Sequence, residues 1–179
     1  MLLSLIQSRR SIRKFKNLPV EKEKVDILVE AMLRSPSSKG LRPWEFIVLD
    51  DREILGKLSH GKPHGSSFLQ DAPLAIVVCA DSKVSDVWVE DASIAATYIQ
   101  LTAHSLGLGS CWIQIRKRPH SKSKMAQEFV GEQLDIPAGI CVESIIAIGY
   151  ADERKSSHGR ETLQWEKVRL NRYETCYRA

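Results

Sequence analysis

Leu74-Ala75-Ile76-Val77-Val78-Cys79 runs without a polar residue. A strand with one wet face alternates polar and apolar side chains, so an unbroken apolar run needs cover on both faces. This segment is therefore expected at the centre of a sheet with packing above and below. Three further strands are read at 45–49, 109–113 and 140–148. The segments between them carry helical patterns.

The clearest helix is expected at 20–33, where Val25, Leu28, Val29 and Met32 recur on one face. Pro19 sits near its start, and Ser35-Pro36-Ser37-Ser38 ends it. A short amphipathic helix is expected at 2–8. Another follows Asp50-Asp51, a capping pair, and runs to Leu58. A helix at 89–106 combines Ala92, Ala95, Ala96 and Ala103 with Ile94, Ile99 and Leu101. Its small side chains permit close approach in the core or at a subunit interface, and Gly107 is placed to end it. The last helix is expected at 121–134. Residues 59–67 read as a polar loop, 151–160 as a charged linker, and 161–179 as a tail too poor in apolar groups to form its own core.

The 179 residues suit a single domain, 1–179, with 161–179 as an extension across another surface. No apolar run reaches the ~20 residues of a membrane-spanning helix. The apolar start comes before Arg9 and Arg10, the reverse of a secretory signal, and this points to the cytoplasm. The four cysteines have no zinc spacing, and Cys79 and Cys141 lie in strand-like runs. His60 and His64 fall in the loop among glycines and Pro63, so no metal site is assigned. The adjacent acids Glu90 and Asp91 fit a helix start better than a catalytic carboxylate pair. No Gly-x-Gly-x-x-Gly fingerprint is present, which argues against a dinucleotide-binding domain of that type.

The net charge of +4 is clustered. Arg9, Arg10, Arg13, Lys14 and Lys16 form one group, and Arg116, Lys117, Arg118, Lys122 and Lys124 a second. Guanidiniums and the Ser11 hydroxyl at a helix end can hold a phosphate, although the same charges also fit an exposed helix end. Pro36 to Phe46 reads as a constrained loop whose hydroxyls and amides can meet a polar ligand edge; Trp44 there also fits a plain core anchor.

The chain resembles the FMN-binding nitroreductase family. The resemblance rests on Arg9-Arg10-Ser11-Ile12-Arg13-x-Phe15, on Pro36-Ser37-Ser38 through Pro43-Trp44-Glu45-Phe46, and on Trp88-Val89-Glu90-Asp91-Ala92. It continues in Leu106 to Trp112 and in Ile148-Gly149-Tyr150. It covers residues 3–173 in the family's order. It implies an α+β fold with a central mixed, mostly antiparallel sheet flanked by helices. It also implies an intertwined homodimer with two FMN sites at the subunit interface, the tail packing on the partner. Arg9 and Ser11 would hold the phosphate with Arg10 alongside, and Arg13 would face the pyrimidine edge. Pro36, Ser37, Ser38 and the Gly40 position would approach from the partner subunit. Gln114 and Ile115 would lie near flavin N5 through their backbone, and Arg160 would be a second phosphate clamp.

The implied activity is hydride transfer from NADH or NADPH through the flavin to a nitroaromatic, quinone or flavin acceptor. The flavin carries the chemistry, so no side chain is assigned as catalytic. The chain departs from the family pattern at Gly40, Arg42, Gln114 and Ala151, where asparagine, glutamine, glycine and proline are common. It also lacks long substrate-covering insertions. These departures bear on substrate choice more than on the cofactor. Two other readings remain open: a flavoprotein or dehydrogenase that uses no nicotinamide, and a basic nucleic-acid-binding protein.

Overall fold

The computed structural model describes residues 2–177. These form α1 (Leu2–Ser8), α2 (Lys22–Leu33), β1 (Trp44–Leu49), α3 (Arg52–Ser59), β2 (Leu74–Asp81), α4 (Trp88–Ser105), β3 (Gly109–Gln114), α5 (Ala126–Gln133) and β4 (Ile140–Gly149). The sheet order is β1-β2-β4-β3, and every neighbouring pair is antiparallel. A parallel bridge, Ser11 to Ser110, adds the segment after α1 to the β3 edge.

The apolar run of β2 is central, as its composition requires. Ala75, Val77 and Cys79 face a core shared with Leu55, Leu58, Ile113, Val130 and Ile145. Leu74, Ile76 and Val78 face a second core with Leu28, Met32, Ala92, Ala96 and Ile99. The sheet is thus a middle layer between α3/α5 and α2/α4. Each fully buried leucine or isoleucine contributes about 1.5–3 kcal/mol of apolar transfer.

Local signals set several element ends. The Asp51 carboxylate accepts from the amides of Glu53 (2.8 Å) and Ile54 (3.1 Å) and starts α3. At the end of α4, Gly107 is left-handed with φ +77°. The Leu108 amide reaches back to the Ala103 carbonyl (2.9 Å) and Gly107 to His104 (3.1 Å), the paired bonds of a Schellman motif.

Three segments differ from the sequence reading. The last helix begins at Ala126 rather than 121, because 119–125 closes into a turn: Ala126 bonds to the Arg118 carbonyl, and His120 and Ser121 to Lys124. Part of the 59–67 loop leads into a 3-10 turn, Ser67–Asp71. Residues 151–155 are no free linker. They run against residues 11–16 through Lys16 N to the Tyr150 carbonyl (2.8 Å), Asp152 N to the Lys14 carbonyl (2.9 Å) and the Phe15–Ala151 bridge. The tail turns back on itself, with Arg169 bridged to Cys176. Leu163, Leu170, Tyr173 and Tyr177 are exposed.

Candidate functional site

Arg9, Arg10, Ser11 and Arg13 follow α1, where the chain leaves the helix and joins the β3 edge. Ile12 donates its amide to the Ser110 carbonyl (3.0 Å). Its side chain sits on Gly109, where an added Cβ would come within 2.8 Å of it. The segment is therefore pressed onto bare backbone. Helix α4 supports it from the side: Ser8 Oγ pairs with His104 Nε2 (2.7 Å), and Arg9 donates to Gln100 Oε1 (3.5 Å).

The strap after β4 supplies the opposite wall. Glu153 accepts from the Arg13 amide (2.5 Å) and pairs with Lys155 (3.1 Å). Lys155 donates to the Ser11 carbonyl (2.8 Å), and the Arg10 guanidinium to the Ser156 carbonyl. A cleft of about 260 Å³ results, lined by Arg9, Arg10, Ser11, Arg13, Lys155 and His158. A second cleft of about 410 Å³ shares Arg9, Arg10 and Lys155 and extends along Gly107, Leu108 and Gly109. Four cations, a hydroxyl and an imidazole around one hollow match the oxygens of a phosphate monoester. The Arg13 amide bond, followed by Lys155, holds the Glu153 carboxyl below its ordinary range, so this acid stays ionised as part of the scaffold.

Cys111 follows Ser110 in β3 and is buried within electrostatic reach of the cleft's cations. Burial keeps its thiol above the ordinary range despite the pull of Arg13, Lys155 and Arg9, so it is no ready thiolate. Burial likewise pushes the Cys79 thiol up to about 12. Among the described residues, no group of three or more His, Cys, Asp or Glu is placed to hold a metal ion. No helix of those residues is long and apolar enough to cross a membrane.

The other expected contacts lie elsewhere. Pro36, Ser37, Ser38 and Gly40 form a tight loop in which Lys39, Gly40 and Arg42 are all left-handed (φ +52°, +68° and +50°). Ser37 Oγ accepts from the Arg42 amide (2.9 Å), and the Ser38 amide donates to Asp91 Oδ1 (2.8 Å). Asp91 is thus no simple helix cap: it is buried, its second oxygen accepts from Ser85, and it ties the loop to α4. Nothing in the loop lines the Arg9 cleft of the same chain. Arg160 is exposed, with its guanidinium 5.9 Å from the Trp165 ring centre, and is also outside that lining.

Gln114 ends β3, and its carboxamide is engaged within the protein. Oε1 accepts from Trp112 Nε1 (2.8 Å), while Nε2 donates to Glu143 and to the Arg116 carbonyl. It is not free to offer a polar contact to a substrate. Ile115 is buried, and its amide already donates to the Glu143 carbonyl (3.2 Å).

Lys155, His158 and Glu143 have no role assigned from the sequence, and Asp91 is read there as a helix-start acid. The only signal for Lys155 and His158 was their basic character soon after Gly149-Tyr150.

Comparison with known proteins places the chain in a family. The model of the nitroreductase family matches residues 6–62 and 56–150. An FMN-dependent nitroreductase structure from Clostridium difficile R20291 is 52% identical, with a TM-score of 0.94, covering 96% of this chain and 99% of that one. A Methanothermobacter thermautotrophicus protein, provisionally assigned as an NADH dehydrogenase/NAD(P)H nitroreductase, is 35% identical over 96% of this chain and 87% of its own length. An FMN reductase [NAD(P)H] of Bacillus subtilis is 26% identical over 97% and 76%. With the phosphate-type cleft, the α+β sheet and these matches in one frame, the chain belongs to the nitroreductase family.

Proposed function

We propose that the protein is an FMN-dependent NAD(P)H oxidoreductase. The observation that carries this reading is the cleft of Arg9, Arg10, Ser11, Arg13, Lys155 and His158. Arg9 and Ser11 hold the phosphate, with Arg10 alongside. Lys155 and His158 take the clamp role expected of Arg160. Arg13 would face the pyrimidine edge, where its fixed positive charge would stabilise negative charge gained by the ring. When bound, FMN supplies the two-electron chemistry, accepting hydride at N5 from NADH or NADPH and passing electrons to a nitroaromatic, quinone or flavin acceptor.

The working unit is a homodimer. Leu2, Leu3 and Ile6 on α1, with Leu163, Leu170, Tyr173 and Tyr177 of the tail, are apolar groups that one chain leaves in water. A second copy gives them cover, and its Pro36–Gly40 loop approaches the flavin held by the first. A cytoplasmic location, where the nicotinamide donor is supplied, goes with this reading. Nucleic-acid binding is disfavoured because one cationic cluster closes a pocket instead of forming an open stripe.

Denaturing the pure protein and chromatographing the supernatant tests the cofactor; noncovalent FMN at one equivalent per chain is expected. Folded protein that stays colourless after incubation with excess FMN would refute the reading. Anaerobic mixing with NADH or NADPH should bleach the flavin; no bleaching with either favours a flavoprotein that uses another donor.

A further inference from the structure

We propose that Glu143 is a positioning residue that sets the corner formed by Gln114, Ile115 and Arg116. The inference rests on the flavin-enzyme reading above, together with the approach of the Gln114 and Ile115 backbone to flavin N5 that the nitroreductase resemblance implies.

The sheet makes room for Glu143 by breaking its own register. Val78 stands opposite Ser144 and Cys79 opposite Val142, so Glu143 is an extra residue in β4. Its carbonyl then accepts from two successive amides just past the end of β3, Ile115 (3.2 Å) and Arg116 (3.0 Å). One carbonyl facing two consecutive amides turns the chain sharply, and bulges are used in this way to aim groups at sites.

The side chain adds a second hold. Glu143 Oε1 accepts from Gln114 Nε2 (3.1 Å), and the Glu143 carbonyl accepts from the same nitrogen (3.3 Å). Trp112 Nε1 only donates, so it fixes the carboxamide with Oε1 toward the indole and Nε2 toward Glu143. Arg116 lies over the Trp88 ring at 5.5 Å, and its Nε is 3.9 Å from Glu143 Oε2. Oε2 has no hydrogen bond, although the residue is only 4% exposed.

A stability argument alone would not put an acid here. Val142 precedes it, and Ile145 and Ile146 follow after Ser144; an apolar side chain avoids the desolvation of a buried, half-satisfied carboxyl. What the acid supplies instead is directional: one side chain and one carbonyl fix the rotamer of Gln114 and the direction of the 115–116 backbone.

The test uses FMN-loaded enzyme with Glu143→Leu, Glu143→Gln and Gln114→Met. Glu143→Gln keeps an acceptor for Gln114 Nε2 and should behave like wild type. Glu143→Leu should slow the limiting rate of anaerobic flavin reduction about tenfold to a hundredfold, since a displacement near 1 Å at a reacting edge costs that much. The visible circular dichroism of the bound flavin should change as well. FMN affinity and apparent donor affinity should stay near wild type, because the phosphate cleft is elsewhere. If Glu143→Leu does not fold, Gln114→Met carries the test and should show the same loss. Unchanged rates and dichroism in Glu143→Leu or Gln114→Met, or a Glu143→Gln variant as impaired as the leucine one, would overturn the proposal. A wild-type protein that takes up no FMN would instead remove the flavin reading itself, and this proposal with it.

Discussion

Replacing Gly109 by alanine tests whether the phosphate-binding segment is held by its seat on bare backbone. The new Cβ would meet Ile12 Cβ and Cγ1 at 2.8 Å and Cγ2 at 2.9 Å. Ordinary contact begins at 3.4 Å, so the segment must lift by about 0.6 Å or Ile12 must leave its rotamer. Ile12 cannot swing aside cheaply, because it is β-branched, buried and tied by its amide to Ser110. Overpacking of this kind costs about 1–3 kcal/mol. For a domain of this length that lowers Tm by about 2–12 °C, within what a domain can survive folded. The lift displaces Arg9 and Ser11 from Lys155, so FMN affinity should fall about tenfold, equivalent to about 1.4 kcal/mol. The matched control is Gly131→Ala in α5, where an added Cβ meets nothing within 4 Å; it should be neutral or slightly stabilising. Thermal melts of the apo-protein and fluorescence titration with FMN read both effects. Gly109→Ala with the melting point and FMN affinity of wild type would refute the argument.

Arg9→Ala should weaken FMN binding by about tenfold or more, whereas Arg118→Ala, which removes the same charge outside the cleft, should change it by less than about twofold; equal losses in matched titrations would defeat the site assignment. A chain ending at Arg160 should become monomeric or aggregate and lose most of its flavin, as sedimentation with flavin absorbance would show; a stable dimer with full FMN would separate the tail from the site. The depressed Glu153 carboxyl fixes a sign for acid. Because its folded-state value lies below its unfolded one, its stabilising contribution is complete above the ordinary carboxylate range and disappears as pH falls through the lowered value. The strap should therefore hold at neutral pH and loosen in acid, and Glu153→Gln should flatten that limb of a stability–pH profile; an unchanged acid limb would contradict the assignment.

Much of the architecture was legible because it is local. The apolar run of β2, the helical spacing in α2, the Asp51 cap and the Gly107 stop depend on neighbours a few residues away. The arginine–serine group is likewise local, four residues of one short run. Tertiary structure decided what completes it. Lys155 meets the Ser11 carbonyl and Glu153 the Arg13 amide across 144 and 140 residues of chain, in a segment whose composition reads as a linker. Asp91 reads as a helix-start acid, but its partner is Ser38, 53 residues away. Glu143 reads as a polar lapse in an apolar strand; only pairing with β2 and β3 together reveals the extra residue and the two amides it receives. Periodicity reports which face of an element is buried, whereas a bulge, a strap or a shared carboxylate is created when distant segments meet and must satisfy each other's hydrogen bonds.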